Sequence, residues 1–312
     1  MPAPLRLKLF ENYRFVLYAP FYAAHAIGAY AEEGLDVELL PSPGPGRAEA
    51  ALATREVDAL WMGPIRVMKH HDDNPASPLV AFAEVVCRDP FSLVGGKPFP
   101  GFRLAELGRM RFASVSEVPT PWLCLQEDLR RAGLDPDALP RIADRTMADN
   151  AAALRRGALD VVQLFEPFAE ELIAAGEGHL WYAAATRGPT AYTSFYTRRS
   201  VLAARREELK KLVRGLYRTQ KWLHTEPPEA LADAVQSFFP SVPPTLLRAA
   251  VARYRALGIW GRNPILPRAG YDRLKAGLVS GHFVEQGAPF EQAVDNSLAE
   301  EVVREDPPPL EG

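Results

Sequence analysis

A chain of 312 residues with 47% hydrophobic and 24% charged side chains has globular composition, and at about 100 to 200 residues per domain it suits two domains better than one. Its formal net charge of −3, with the basic residues scattered, excludes the electrostatic footprint of a nucleic-acid binder. No run reaches the ~18 apolar residues of a membrane-spanning helix, so no membrane insertion is expected.

The N-terminal MPAPLRLKLFENY lacks the apolar stretch of a secretory signal, and no Sec export is expected of the chain as it stands. LRLKLF (5–10) alternates and then turns apolar, which predicts a buried strand. From Pro20 to Glu33 the stripe Phe21, Ala24, Ile27 and Ala31 predicts a helix stopped by Gly34. Leu35 to Leu40 reads as a second strand. After the turn-rich PSPGPG (41–46), Arg47 to Thr54 reads as a helix and Val57 to Met62 as a third strand, giving the order βαβαβ.

The plan then repeats. A strand over Met110 to Val115 precedes a helix over Thr120 to Ala132, whose stripe is Trp122, Leu125, Leu129 and Ala132 and whose stop is Gly133. GLD recurs at 34–36 and 133–135, and AALATREVDALW (50–61) is echoed by AALRRGALDVVQ (152–163). Two copies are too few for a solenoid and suit two half-sheets with right-handed crossovers. The β-rich stretches Leu79 to Cys87 and Leu180 to Arg198 flank the second copy, as crossings between lobes would. Helical segments follow at 202–225, 228–239, 243–257, 267–280 and 287–303, and the tail DPPPLEG (306–312) reads as disordered. The predicted fold is α/β, with two doubly wound βαβ lobes facing each other across a ligand cleft. Lobe 1 takes residues 1–88 and 190–312, its helical C-terminal region packing upon it, and lobe 2 takes 89–189.

IGAYAEEGLDVELL (27–40), ALATREVDALWMG (51–63), NAAALRRGALDVVQLFEPF (150–168) and the C-terminal YDRLKAGLVSGHFVEQGAPFEQAVDNSLAEEV resemble, in order and spacing, the substrate-binding proteins for sulfonates, taurine, nitrate and thiamine-pyrimidine precursors. The resemblance implies the two-lobed type II periplasmic-binding-protein fold, a small planar or anionic solute as ligand, and delivery to an ABC permease. It implies a periplasmic location; the missing leader implies a cytoplasmic one if the chain as it stands is complete. Fold alone does not decide function, since the scaffold also carries enzymes.

In doubly wound sheets ligands sit outside the carboxyl ends of the strands, which selects the residues just after each. After the first strand these are Asn12 and Tyr13, matching an Asn-aromatic pair of the relatives, then Tyr18 and Phe21; the alternative is an aromatic core cluster. Trp61, Met62 and Gly63 end the third strand, where Trp61 is equally suited to the core. The loop Pro43 to Arg47 opens a helix that can hold an anion, although a solvated turn is the plainer reading. In the second lobe the candidates are Ser114, Ser116, Glu117 and Glu166, with Thr120 read as an N-cap. An acid at the step of Glu166 is what pyrimidine-binding relatives carry. Two acids at the mouth, Glu117 and Glu166, would repel a bare sulfonate or nitrate and favour a ligand with N–H donors. Tyr192, Thr193, Ser194 and Phe195 lie where the chain returns to lobe 1, and strand alternation lets half of them face the cleft.

No HExxH, GxSxG, GxGxxG or P-loop is present, and nothing calls for a cofactor or metal. KHHDDN (69–74) reads as a basic helix end before an acidic loop, because adjacent histidines on a helix point apart. Cys87 and Cys124 form neither a metal spacing nor a disulfide framework. The hydroxymethylpyrimidine synthases of thiamine synthesis resemble the first 60 residues, yet LWMGPIRVM (60–68) and PTAYTSFYT (189–197) lack the Lys, His and Cys those enzymes carry there. Solute receptor is the leading reading, with an intracellular enzyme on the same scaffold and a cytosolic ligand sensor as alternatives.

Overall fold

The computed structural model describes residues 5–11, 13–41, 44 and 47–310. Its strands are β1 (Leu5–Phe10), β2 (Leu35–Leu40), β3 (Ala59–Met62), β4 (Leu79–Val86), β5 (Ser92–Gly95), β6 (Phe112–Ala113), β7 (Arg141–Ile142), β8 (Val161–Leu164), β9 (His179–Ala183) and β10 (Thr193–Arg198). They form two five-stranded sheets in the orders β2-β1-β3-β10-β4 and β7-β6-β8-β5-β9. The two orders are the same pattern. In each sheet the first three strands in βαβαβ succession are parallel, and the fourth place is taken by an antiparallel strand, β10 or β5, that arrives from the other lobe.

The repeated VDALW and LDVVQ segments have a common physical role. Asp58 accepts a hydrogen bond from the Lys8 backbone N–H at 2.8 Å, and Asp160 accepts one from the Arg111 backbone N–H at 2.8 Å. Each carboxylate ties the start of its lobe's third strand to the strand beside it, satisfying an N–H that the parallel ladder leaves open.

The helices are α1 (Ala19–Ala26), α2 (Ala29–Glu32), α3 (Arg47–Thr54), α4 (Ile65–Asp73), α5 (Thr120–Arg131), α6 (Met147–Arg155), α7 (Phe168–Ala174), α8 (Arg199–Ala204), α9 (Arg206–Thr225), α10 (Pro228–Val235), α11 (Pro244–Ala256), α12 (Arg268–Ser280), α13 (Phe290–Ala293) and α14 (Ser297–Glu305). The helix expected over 20–33 is two, because Gly28 takes φ +78° and breaks it; Ala31 of the expected stripe is exposed. The strand expected over 110–115 shrinks to Phe112–Ala113, and the stretch 180–198 divides between the two sheets as β9 and β10.

Helices α9, α10 and α14 cover the first sheet's side through α1, α2 and β4, as expected of the C-terminal region. The same region also reaches the second lobe, α12 packing on α5 and α11 on α7. Gly277 permits the first contact, since a Cβ there would lie 3.3 Å from the Leu123 carbonyl. Behind the crossings, Arg187 pairs with the fully buried Asp89 at 2.5 Å and with Asp128 of α5, so both interlobe connections meet on one guanidinium.

Candidate functional site

A cleft lies where the two sheets face each other. From the first lobe it is lined by Tyr13, Phe15, Leu17 and Tyr18 after β1, by Met62, Gly63, Ile65 and Arg66 after β3, and by Tyr192 just before β10. The second lobe supplies Phe91 just before β5, Val118, Pro119 and Thr120 at the start of α5, and Phe165 after β8. The carboxyl ends of parallel strands and the amino ends of antiparallel ones share an edge, which is why these six segments converge.

The walls carry six aromatic side chains among the described residues. Phe15 of the first lobe meets Phe165 of the second edge-on at 4.7 Å, Phe165 meets Phe91 at 4.9 Å, and Tyr13 stacks on Phe15 at 5.5 Å. Gly63 lets the exit of β3 press on the approach to β10, because a Cβ there would lie 3.2 Å from the Tyr192 carbonyl and 3.0 Å from Ile65.

Three polar features face this apolar space. Arg66, half-buried in the first turn of α4, has no carboxylate within ion-pairing distance among the described residues. The Tyr192 hydroxyl is buried without a hydrogen-bond partner, and burial holds its pKa well above the ordinary phenol value, so it stays a donor. Helices α4 and α5 both begin at the cleft without a side-chain cap, which places their positive dipole ends there. Among the described residues that line it there is no carboxylate, histidine or cysteine.

The expected site residues divide sharply. Tyr13, Tyr18, Met62, Gly63 and Tyr192 line the cleft. Asn12, with Pro43, Pro45 and Gly46 of the loop considered for anions, lies outside the described residues, and Arg47 is exposed. Phe21 and Trp61 are core instead: strand alternation turns Trp61 away from the side of Met62, and the two rings stack at 4.7 Å and 5°. Thr193, Ser194 and Phe195 are buried within β10. Ser114 is fully buried and accepts from Arg141 at 2.6 Å, while Ser116 is exposed beside Glu117. Thr120 is the first residue of α5, the cap position falling on Pro119.

Neither acid faces the cleft. Glu117 accepts from the Met147 backbone N–H at 2.8 Å at the start of α6. Glu166 is buried, accepts from the Glu170 N–H at 2.8 Å and pairs with Arg253 at 3.2 Å; burial raises its pKa to about 7 against the pull of those partners. The repulsion expected against a bare anion therefore has no source in the cleft wall.

Sequence reasoning passed over Phe15, Arg66, Phe91 and Phe165. A signal existed for two of them: Phe165 directly follows β8, one place before the acid that was chosen, and Arg66 is a lone cation in the first turn after β3. The KHHDDN segment is structural. His71 bonds the Leu79 carbonyl at 2.8 Å, Lys69 pairs with Asp73, and Asp72 accepts from the N–H groups of 285–287. No group of three or more metal-ligating side chains occurs among the described residues. Cys87 and Cys124 are free thiols, each pushed by burial up to about 12.

The family model described as NMT1-like matches residues 102–238. The putative binding protein YtlA of Bacillus subtilis (strain 168) is 24% identical over 302 residues, covering 96% of this chain and 90% of that one. Among solved structures, the periplasmic aliphatic sulphonate binding protein SsuA of Escherichia coli superposes with a TM-score of 0.74 at 14% identity, over 93% of this chain and 97% of that one. The periplasmic nitrate-binding protein NrtA of Synechocystis PCC 6803 does so with a TM-score of 0.67 at 15% identity, over 97% and 89%. The chain carries the type II periplasmic-binding-protein fold, similar in architecture to periplasmic sulphonate- and nitrate-binding proteins and in sequence to a putative binding protein.

Proposed function

We propose that the protein is a solute receptor that closes its two lobes on a small anion and presents it to an ABC permease. The observation that carries this reading is Arg66. A half-buried guanidinium in a mostly apolar cleft, without a carboxylate partner among the described residues, bears a desolvation cost that an anionic ligand offsets. The helix ends of α4 and α5 add to the same preference. The N–H-donor ligand favoured from the sequence loses its support once Glu117 and Glu166 are engaged elsewhere. We further infer lobe boundaries at 1–88 with 190–312, and at 89–189, since the crossings fall between β4 and β5 and between β9 and β10.

The test is a thermal-shift and small-angle scattering series with organic anions, nitrate and matched neutral analogues. At 100 times its Kd a cleft ligand stabilises by about 2.7 kcal/mol, and it reduces the radius of gyration. Arg66→Gln is expected to abolish the anion preference without lowering the unliganded melting temperature. Equal responses to anions and neutral analogues, or anion binding indifferent to Arg66→Gln, defeat the reading.

A further inference from the structure

We infer that the solute is an aryl monoanion, a compact aromatic ring bearing a single carboxylate- or sulfonate-like group. This rests on the reading of the cleft as a solute site and narrows its chemistry.

The charge count comes first. Arg66 is the one formally charged side chain among the described lining residues, and no acid is among them, so a single negative charge is matched and a second would be left uncompensated. The body of the ligand follows from the walls. Six of the described lining residues are aromatic, and Tyr13, Phe15, Phe165 and Phe91 form a continuous chain of stacked and edge-on contacts that crosses from one lobe to the other. Rings packed both face-on and edge-on offer a ring inserted among them negative faces and positive edges together, a match that an alkyl chain does not make.

The polar fittings suit the same shape. Tyr192, 7% exposed and with its hydroxyl unpartnered, adds a second donor from the first lobe, its ring 6.4 Å from that of Phe91 in the second. Thr120 and the uncapped start of α5 line the same cleft as Arg66 from the other lobe, so an anionic head bound between them favours closure. A small inorganic anion would satisfy Arg66 and leave the aromatic walls wet, so nitrate is disfavoured despite the likeness of fold.

The experiment is isothermal titration calorimetry of the full chain with benzoate, benzenesulfonate, cyclohexanecarboxylate, hexanesulfonate, benzamide and nitrate. The two aryl anions are expected to bind at least about tenfold tighter than their saturated counterparts and than benzamide. Tyr192→Phe should weaken them severalfold and Phe15→Leu should erase the aryl-over-alkyl ratio; circular dichroism confirms that each variant folds. Saturated anions or nitrate binding as tightly as the aryl anions overturn the inference but leave the receptor reading standing. Benzamide binding as tightly as benzoate overturns both, and a panel in which nothing binds overturns the inference while the scattering series decides the receptor reading separately.

Discussion

Arg253 on α11 reaches the second lobe and places its Nε 3.2 Å from Oε1 of Glu166, the residue directly after Phe165 in the cleft wall. Its neighbour Tyr254 accepts a hydrogen bond from the Glu166 backbone N–H at 3.0 Å, and Arg253 also pairs with Glu170. The C-terminal helices thus grip the strand end that carries a cleft-lining ring.

This contact makes stability depend on pH. Burial raises the Glu166 pKa from 4.5 to about 7, so the folded protein holds a proton there that the unfolded chain releases. The contribution is full below pH 4.5, declines as pH rises, and is gone above about 7. Glu166→Gln should flatten this part of the profile, with the variant gaining up to about 3 kcal/mol relative to the parent by pH 8. Urea titrations at pH 5 and pH 8 check it; an unchanged difference between the two pH values counts against the assignment.

The buried triad at the crossings should be costly to break. Arg187→Met leaves Asp89, which has no exposed surface, without its cationic partner, and a loss of about 3–5 kcal/mol is expected. Arg187→Met together with Asp89→Leu and Asp128→Leu should recover much of that loss, because the uncompensated charges go with the guanidinium. Chemical denaturation of the two variants distinguishes charge burial from lost packing.

Gly63→Ala tests the tight approach of β3 to β10. The added methyl would meet the Tyr192 carbonyl at 3.2 Å, which the flanking strands resist, and a cost of about 1–3 kcal/mol is expected. Because Tyr192 lines the cleft, affinity for the ligand should fall with stability, whereas Gly28→Asn, at a left-handed turn with open space around it, should leave affinity unchanged.

Much of the architecture was legible in local sequence, and for physical reasons. Period and punctuation mark β1, β2, α3 and α5 because those depend on each residue's near neighbours, and the paired Asp58 and Asp160 recur because both half-sheets need the same N–H satisfied. The cleft itself was only half legible. Tyr13, Met62 and Gly63 follow from the rule of strand ends, but Phe15 is completed by Phe165 from 150 positions further along the chain, and Glu117 and Glu166 are drawn away by partners at 147 and 253. A carboxylate's role depends on which donors the tertiary fold brings to it, and a strand's sheet on which edge is open when the chain crosses between lobes. Sequence therefore determined the elements and their order, while only the packed structure decided that Arg66, not the acids, supplies the charge in the cleft.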